Sequence, residues 1–406
     1  MLPSRLVLDF NGRRLQGARP FAVFEAKNGA WTWQAEYSGF PFHNGRGDTF
    51  SEVQRALQWS RSHIGSQGAA IGFFSYDAAR QIEPRAFGIS PPTDDLQVPD
   101  ARLVFYEKVE ATNTQPPPHR TSSPPQRRLT SHSPLLTPRY LSAIARIQEY
   151  IAAGDIYQAN FTQHFAAALP CPPDELYERL RATHPMPFSA LLAWHDLAVI
   201  SNSPERFLKL KNRRLSAQPI KGTIRRGRDD EEDEQLKLAL QNSEKDRAEN
   251  VMIVDLLRND LGRVCEWGSV RVPSLFEVQT FPSLHHLVST VTGTLRDGLD
   301  GVDALRAAFP CGSITGAPKI RAMQIIDELE PVRRGVAMGA IGYFGFDGDM
   351  EWNVAIRTIT CKNNRAYYHV GGGIVADSVA EHEYAEMLLK ARALEGVLHA
   401  LQVAPR

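Results

Sequence analysis

The chain is predicted to fold as an α+β protein built mainly on antiparallel sheet. Strand-length runs of aromatic and β-branched residues recur without a helix between every pair, which argues against a doubly wound parallel sheet. Between them stand a few segments of sustained helical periodicity, and 406 residues with a 43% apolar fraction can bury a substantial core.

Taken in order, residues 1–110 form a β-rich region. Phe21-Ala22-Val23-Phe24, Trp31-Thr32-Trp33 and Gly72-Phe73-Phe74-Ser75-Tyr76 read as short strands punctuated by glycine and proline, with one helix over residues 49–62. Residues 111–138 shift to Pro, Ser, Thr and Arg, including Pro116-Pro117-Pro118, a composition that builds no packed core and reads as a linker or long surface loop. Residues 139–406 then form the region that carries the chemistry. Tyr140, Ile144, Ile147 and Ile151 fall at helical spacing, and Gly154 supplies a stop. The next run alternates, with Tyr157, Ala159, Phe161 and Phe165 on one face of a strand and Gln158, Asn160 and Thr162 on a polar second face. Further strands are expected over residues 188–194, 198–201, 207–210 and 339–346.

Charge and cysteine content exclude several classes of function. Lys plus Arg and Asp plus Glu are equal at 46 each, so no net field favours nucleic acid or an anionic membrane. Cys171, Cys265, Cys311 and Cys361 are widely spaced and fit neither a zinc site nor a disulfide framework, so they read as reduced thiols. The N-terminal apolar run is too short for a signal peptide and nothing later reaches membrane-spanning length, so a cytoplasmic protein is expected.

One lysine stands out. Lys221 sits in Gln218-Pro219-Ile220-Lys221-Gly222-Thr223, an otherwise small and uncharged stretch. Pro219 fixes φ and Gly222 lets backbone approach a ligand, so the side chain is either held in a cleft, where a desolvated amine becomes a nucleophile, or snorkels from a strand end to water.

Two helices carry carboxylates at odd positions. Over residues 243–261 the apolar stripe is Met252, Ile253, Leu256 and Leu257, and Glu249 falls near its middle. A carboxylate buried there needs a cation, either a metal or an arginine such as Arg247. In the last helix, opened by the capping-box pattern Ser378-Val379-Ala380-Glu381, residues Glu383, Glu386 and Lys390 share the edge of the buried face. Glu386 and Lys390 make an ordinary surface pair unless they join Glu249, in which case a few oxygen ligands suit Mg²⁺ completed by water and substrate.

Exposed backbone is expected at two places. Cys311-Gly312-Ser313-Ile314-Thr315-Gly316-Ala317-Pro318-Lys319 leads into a helix, with Thr315 as its cap, and Gly371-Gly372-Gly373 precedes the last helix. Neither is a Walker loop or a dinucleotide fingerprint, and each is either an anion cradle or a glycine-rich turn without a ligand.

These pieces, in this order, resemble the chorismate-utilising enzymes over about residues 138–400. The motifs are Ile156 to Asn160, Ser203 to Phe207, Pro219 to Thr223, Asp246 to Asn250 with Arg258-Asn259-Asp260, Gly312 to Pro318, Ala355 to Thr358 and Gly371 to Asp377. The resemblance implies two largely antiparallel sheets packed as a sandwich with helices outside. Within the family, a lysine at position 221 is similar to the branch that aminates chorismate at C4, whereas the anthranilate-forming branch typically has alanine there. Cys311 departs from the more usual glycine or alanine.

The resemblance also implies roles. Mg²⁺ held by Glu249 and Glu386, with Glu383 as an outer ligand, would neutralise one substrate carboxylate. Arg357, Tyr343, Lys390 and the backbone of Gly371, Gly372 and Gly373 would bind the rest of chorismate. Glu205 would be general acid and base, unless it is occupied by a salt bridge to Arg206. Lys221 would form the covalent adduct, Gly222 would let the ligand close in, and Thr223, Ser313 and His286 would orient the ring. Gln158 places a neutral amide where isochorismate-forming relatives typically carry a lysine base. Ammonia would come from a separate glutamine amidotransferase subunit, since no Gly-x-Cys-x-Gly elbow is present, and pyruvate release to 4-aminobenzoate, on the way to folate, would fall to a downstream lyase. The competing expectations are an anthranilate-forming component I and a non-catalytic chorismate-binding regulatory subunit.

Overall fold

The structure is a computed structural model that describes residues 2–114, 136–281 and 284–400. The segment predicted as a linker, residues 111–138, lies mostly outside the described residues. Its first residues close the strand Ala101–Asn113 and its last open the helix Leu136–Ala152.

All the strand ladders are antiparallel, and they form two sheets. The first starts at Ala30–Ala35 and continues through Arg13–Lys27, Ala101–Asn113, Ala69–Phe74, Ala340–Gly345, Met350–Val354 and Arg206–Lys211. It then runs through Arg214–Gln218, which continues past Pro219 as Ile220–Arg225, to Leu284–Thr294 and Arg271–Thr280. The second follows the order Arg5–Phe10, Phe188–Ala193, Ala198–Ser203, Thr358–Lys362, Arg365–Ile374 and Gln158–Ala168, with Gly316–Ala317 at its end. Arg5–Phe10 also pairs with the first half of Arg13–Lys27, so one ladder passes from sheet to sheet. Strands from both sides of residues 115–135 share the first sheet.

The apolar faces explain the layering. Leu6, Leu8, Phe188 and Leu192 of the second sheet meet Ile71, Phe73, Val104 and Ile341 of the first in one buried cluster, so the sheets pack face to face. The outer face of the first sheet is covered by Thr49–His63, Glu244–Gly262 and Gly301–Ala308 through Phe50, Leu57, Ile253, Leu257 and Leu305. Leu136–Ala152, Pro173–Thr183 and Ala380–Ala400 cover the second through Ile144, Ile147, Leu176 and Leu394. The predicted sandwich with helices outside is the arrangement found. Burial on both faces also explains the strand over 158–168: Ala159 and Phe161 enter the outer core, while Gln158, Asn160 and Thr162, read as a polar face, are buried as well. Tyr157, assigned to the apolar face, is 71% exposed, just before the strand, although its amide donates to the Ala317 carbonyl.

Two cap assignments are corrected. Thr315 does not cap the helix Lys319–Leu329. Its hydroxyl donates to the carbonyls of Cys311 and Gly312, and Pro318 occupies the cap position. Ser378 does not form the predicted box with Glu381. Its Oγ accepts from the Val375 amide at 3.1 Å and donates to Glu383 Oε1 at 2.8 Å.

Two dry ion pairs pin the backbone around the sheet ends. Lys319 Nζ contacts Asp260 Oδ2 at 2.6 Å and the Ala308 carbonyl at 2.8 Å, so this lysine is used by the fold. Arg334 is paired with Glu330 and donates to the carbonyls of Ile314 (2.8 Å) and Asn160 (2.6 Å), while Glu330 Oε1 accepts from the amide and hydroxyl of Thr162. Arg334 and Glu330 are both buried, so removing one strands the other's charge. Glu330→Ala is expected to lower unfolding stability by about 3–5 kcal/mol, read from the denaturant midpoint.

Candidate active site

The end of the first sheet and the edge of the second converge with two helices on one group of charged side chains. Lys221 lies on the strand Ile220–Arg225, and its Nζ is 3.6 Å from Glu249 Oε2 on the helix Glu244–Gly262. That lysine is only 13% exposed, so its amine is withdrawn from bulk solvent. Arg247, the alternative partner of Glu249, instead stacks 4.8 Å from the Phe276 ring centre. Burial raises the Glu249 carboxyl above its ordinary range, opposed by Lys221 and Lys245.

The last helix faces this pair. Glu386 Oε1 contacts Lys390 Nζ at 2.8 Å, and the same ammonium donates to the Gly371 carbonyl at 3.2 Å. Burial alone would raise the Glu386 carboxyl, but Lys390, Lys245 and Lys221 outweigh it and hold it below the usual range. Glu383 is buried, accepts from Ser378 and lies 3.9 Å from Lys245 Nζ. Each of the three predicted metal-ligand carboxylates therefore has its own ammonium: Lys221 on Glu249, Lys245 on Glu383, Lys390 on Glu386.

Glu205 stands at the turn between Ala198–Ser203 and Arg206–Lys211 and is buried, 3% exposed. Desolvation pushes its carboxyl up to about 7, against the opposing pull of the Ser313 hydroxyl, the Lys221 ammonium and the Ile220 amide. The feared salt bridge to Arg206 does not form, because Arg206 reaches Glu351 at 2.9 Å and the Gln218 amide oxygen. Burial keeps a proton on an unpaired carboxyl, and Glu205 can give or take one near neutrality.

His286 pairs in register with Thr223, and Thr223 Oγ1 lies 2.8 Å from His286 Nδ1. Burial, reinforced by the Arg357 guanidinium, pushes this imidazole down to about 3, so it is neutral at pH 7. His285 points to the other face, toward Asp233 (2.9 Å) and Thr280, and belongs to the fold. Arg357, at φ +50°, has no carboxylate within ion-pair distance among the described residues, and burial lowers its pKa. An unpaired guanidinium in such a setting suits an anionic ligand.

The glycine run is not a free turn. Gly371, Gly372 and Gly373 continue the strand Arg365–Ile374 opposite Thr162, Phe161 and Asn160. Side chains are excluded at two of the three for contact reasons: a Cβ on Gly371 would lie 1.9 Å from the Phe161 carbonyl oxygen and one on Gly373 2.4 Å from Gln158 Nε2, whereas one on Gly372 would make only ordinary contact with Glu383 and Lys390. Gly222, at φ +84°, would drive a Cβ to 2.9 Å from Asp246 and Leu240. Ser313 lies in the turn Gly312–Ile314, which is tied to the second sheet by the Asn160 amide donating to the Thr315 carbonyl and by pairing of Gly316 with Ala159.

Several buried polar atoms in these elements have no partner among the described residues: both side-chain ends of Gln158, Asn160 Nδ2, Glu205 Oε1, Asn250 Nδ2 and His286 Nε2. Orphaned buried polar groups are costly, and these six atoms could be satisfied by a polar ligand. Tyr343 is not brought to them. Its ring packs against the core between the sheets, and its phenol, raised by burial, lies in the field of Glu351, Asp349 and Asp347. Lys245 and Asn160 were missed as site residues. The signal for Lys245 was its place one helical turn before Glu249, and for Asn160 its place beside Gln158 on the polar strand face.

Glu249, Glu383 and Glu386 are hard oxygen donors that need balancing positive charge, which fits Mg²⁺. Among the described residues no three His, Cys, Asp or Glu side chains are grouped to hold a metal ion.

Comparison with known proteins agrees with this geometry. The model of the chorismate binding enzyme family matches residues 7–396. The aminodeoxychorismate synthase component 1 of Salmonella typhimurium is 44% identical over 362 residues, 83% of this chain and 77% of that protein. The anthranilate synthase component 1 of Geobacillus stearothermophilus is also 44% identical, but over 268 residues, 66% of this chain and 52% of the relative. Among solved structures, anthranilate synthase component I of Streptococcus pneumoniae superimposes with a TM-score of 0.79 at 30% identity, covering 97% of this chain and 93% of that one. With its fold, its sequence motifs and nearly its whole length matched, the chain belongs to the chorismate binding enzyme family.

Proposed function

We propose that this chain aminates chorismate at C4 to give 4-amino-4-deoxychorismate, the reaction for which the relatives matched over most of its length are named. The observation that carries the reading is Lys221, a part-buried amine between the acid Glu205 and the carboxylate Glu249. An anthranilate-forming activity is the second reading, favoured by the 44% identity to relatives of that name, and it would leave Lys221 without a covalent role.

The roles follow from placement. Lys221 gives up a proton and its contact with Glu249, then its amine adds at C2. The ring double bonds shift, and the C4 hydroxyl leaves as water with a proton from Glu205. Ammonia adds at C4, the double bonds shift back, the bond from C2 to Lys221 breaks, and Glu205 takes a proton from the incoming amine. Arg357, Lys390 and the donors near Gly371 to Gly373 hold the substrate's charged and hydroxyl groups, and Thr223, Ser313 and neutral His286 orient the ring. Gln158 cannot deprotonate water as a lysine would. Glu249, Glu386 and Glu383 would hold Mg²⁺, which when bound supplies charge neutralisation for a substrate carboxylate. Ammonia is supplied by a glutamine amidotransferase subunit, the second component implied by the relatives' name, and a separate lyase then makes 4-aminobenzoate for folate synthesis. No helix among the described residues is long and apolar enough to cross a membrane, and the reading places the protein in the cytoplasm.

The decisive assay supplies chorismate, Mg²⁺ and ammonium to the purified chain and identifies the product. Amination at C4 is expected, 2-aminobenzoate would establish the second reading, and no turnover would leave a non-catalytic chorismate-binding subunit. Lys221→Ala is expected to reduce C4 amination at least ~10³-fold while chorismate binding, measured by calorimetry, survives; undiminished turnover rejects the covalent route. Without ammonia, a single turnover should form the lysine adduct, seen by intact mass. The adduct step needs Glu205 protonated and Lys221 deprotonated, so the gain in rate with rising pH should level off at about 7 as Glu205 loses its proton, and Glu205→Gln should remove that break along with ~10²–10⁴-fold in rate.

A further inference from the structure

We propose that Lys245 is a stand-in counter-ion for the divalent metal: its ammonium balances the carboxylates of the metal-free site and is displaced to solvent when the metal binds. The inference rests on the reading of Glu249, Glu383 and Glu386 as the metal site. Three ammonium groups meet those carboxylates, and they differ in how readily they can leave. Lys221 is 13% exposed and is the proposed nucleophile. Lys390 is tied to the Gly371 carbonyl as well as to Glu386. Lys245 is 52% exposed, and Glu383, at 3.9 Å, is its ion-pair partner among the described residues. Its charge also acts on Glu249 and Glu386, so it touches the balance of the whole group from the rim.

The position of Lys245 points the same way. It occupies the first turn of the helix Glu244–Gly262, between Glu244 and Asp246, where the positive end of the dipole favours acids and disfavours a cation. A lysine there works against its own helix, which makes sense if its partner lies across the cleft. It precedes Glu249 by four residues, so the two side chains share one helix face. A compact ammonium on a flexible four-carbon stem can rotate into water and be rehydrated without stranding a buried charge. Metal binding is then an exchange, with the metal in and one ammonium out, and the apparent affinity is weakened by the ion pair that must break.

The test titrates Mn²⁺ into the substrate-free full-length chain, following free metal by electron paramagnetic resonance. Lys245→Met is expected to bind Mn²⁺ roughly two- to fivefold more tightly than the unaltered chain at low ionic strength. The gain should shrink toward nothing at ~1 M salt, and Lys245→Arg should behave like the unaltered chain. Lys237→Met, which removes the same charge from the preceding helix, should leave the affinity unchanged. Unchanged or weaker binding by Lys245→Met, with Glu249→Gln abolishing binding, overturns the role of Lys245 and leaves the metal site standing. If the unaltered chain binds no Mn²⁺, or Glu249→Gln binds it normally, the metal-site reading fails and this proposal falls with it.

Discussion

One ammonium set opposite each of three carboxylates is the interaction on which the candidate site depends, because it ties together segments distant along the chain. Glu249, Glu383 and Glu386 come from two helices, and their partners Lys221, Lys245 and Lys390 from a strand and the same two helices. The match of one ammonium to one carboxylate holds only while the end of the first sheet, the edge of the second and both helices are in place. A divalent ion and a dicarboxylate substrate would enter this balance as a further pair of opposite charges.

The ion pairs fall into two kinds by solvent access. Asp260 with Lys319 and Glu330 with Arg334 are dry, satisfied further by backbone carbonyls, and hold loops to sheets. They fix the turn bearing Ser313 and the strand bearing Gln158 and Asn160, so their contribution to chemistry is indirect. The pairs around Lys221 are partly open, and their partners can be exchanged for ligands at lower cost. Glu205 belongs to neither kind. Buried without a salt bridge, it is moved toward neutrality by desolvation alone, the property an acid and base requires.

A scaffold of this kind can host more than one reaction on the same substrate, because the fold supplies charge balance and position and a few side chains select the bond attacked. Lys221 lies on the strand Ile220–Arg225 next to Thr223 and its partner His286, with Glu249 facing it from a helix. On the proposed reading, the choice of reaction would rest on one position and the binding groups on both sheets.

The sequence by itself determined the elements and the residue types of the site. Alternation along 158–165, helical spacing in 243–261, the odd lysine at 221 and the spacing of Glu383, Glu386 and Lys390 are all local, set by the two- and 3.6-residue repeats of the backbone. Only the tertiary structure decided the partners. It gave Glu249 to Lys221 and not Arg247, took Arg206 away from Glu205, packed Tyr343 against the core between the sheets and brought Lys245 to Glu383. It also placed the glycine run, read as an anion cradle or a turn, in a paired strand and turned the polar face of 158–162 inward. Charge pairing acts over a few ångströms between segments distant along the chain, and packing of the two sheets sets those separations.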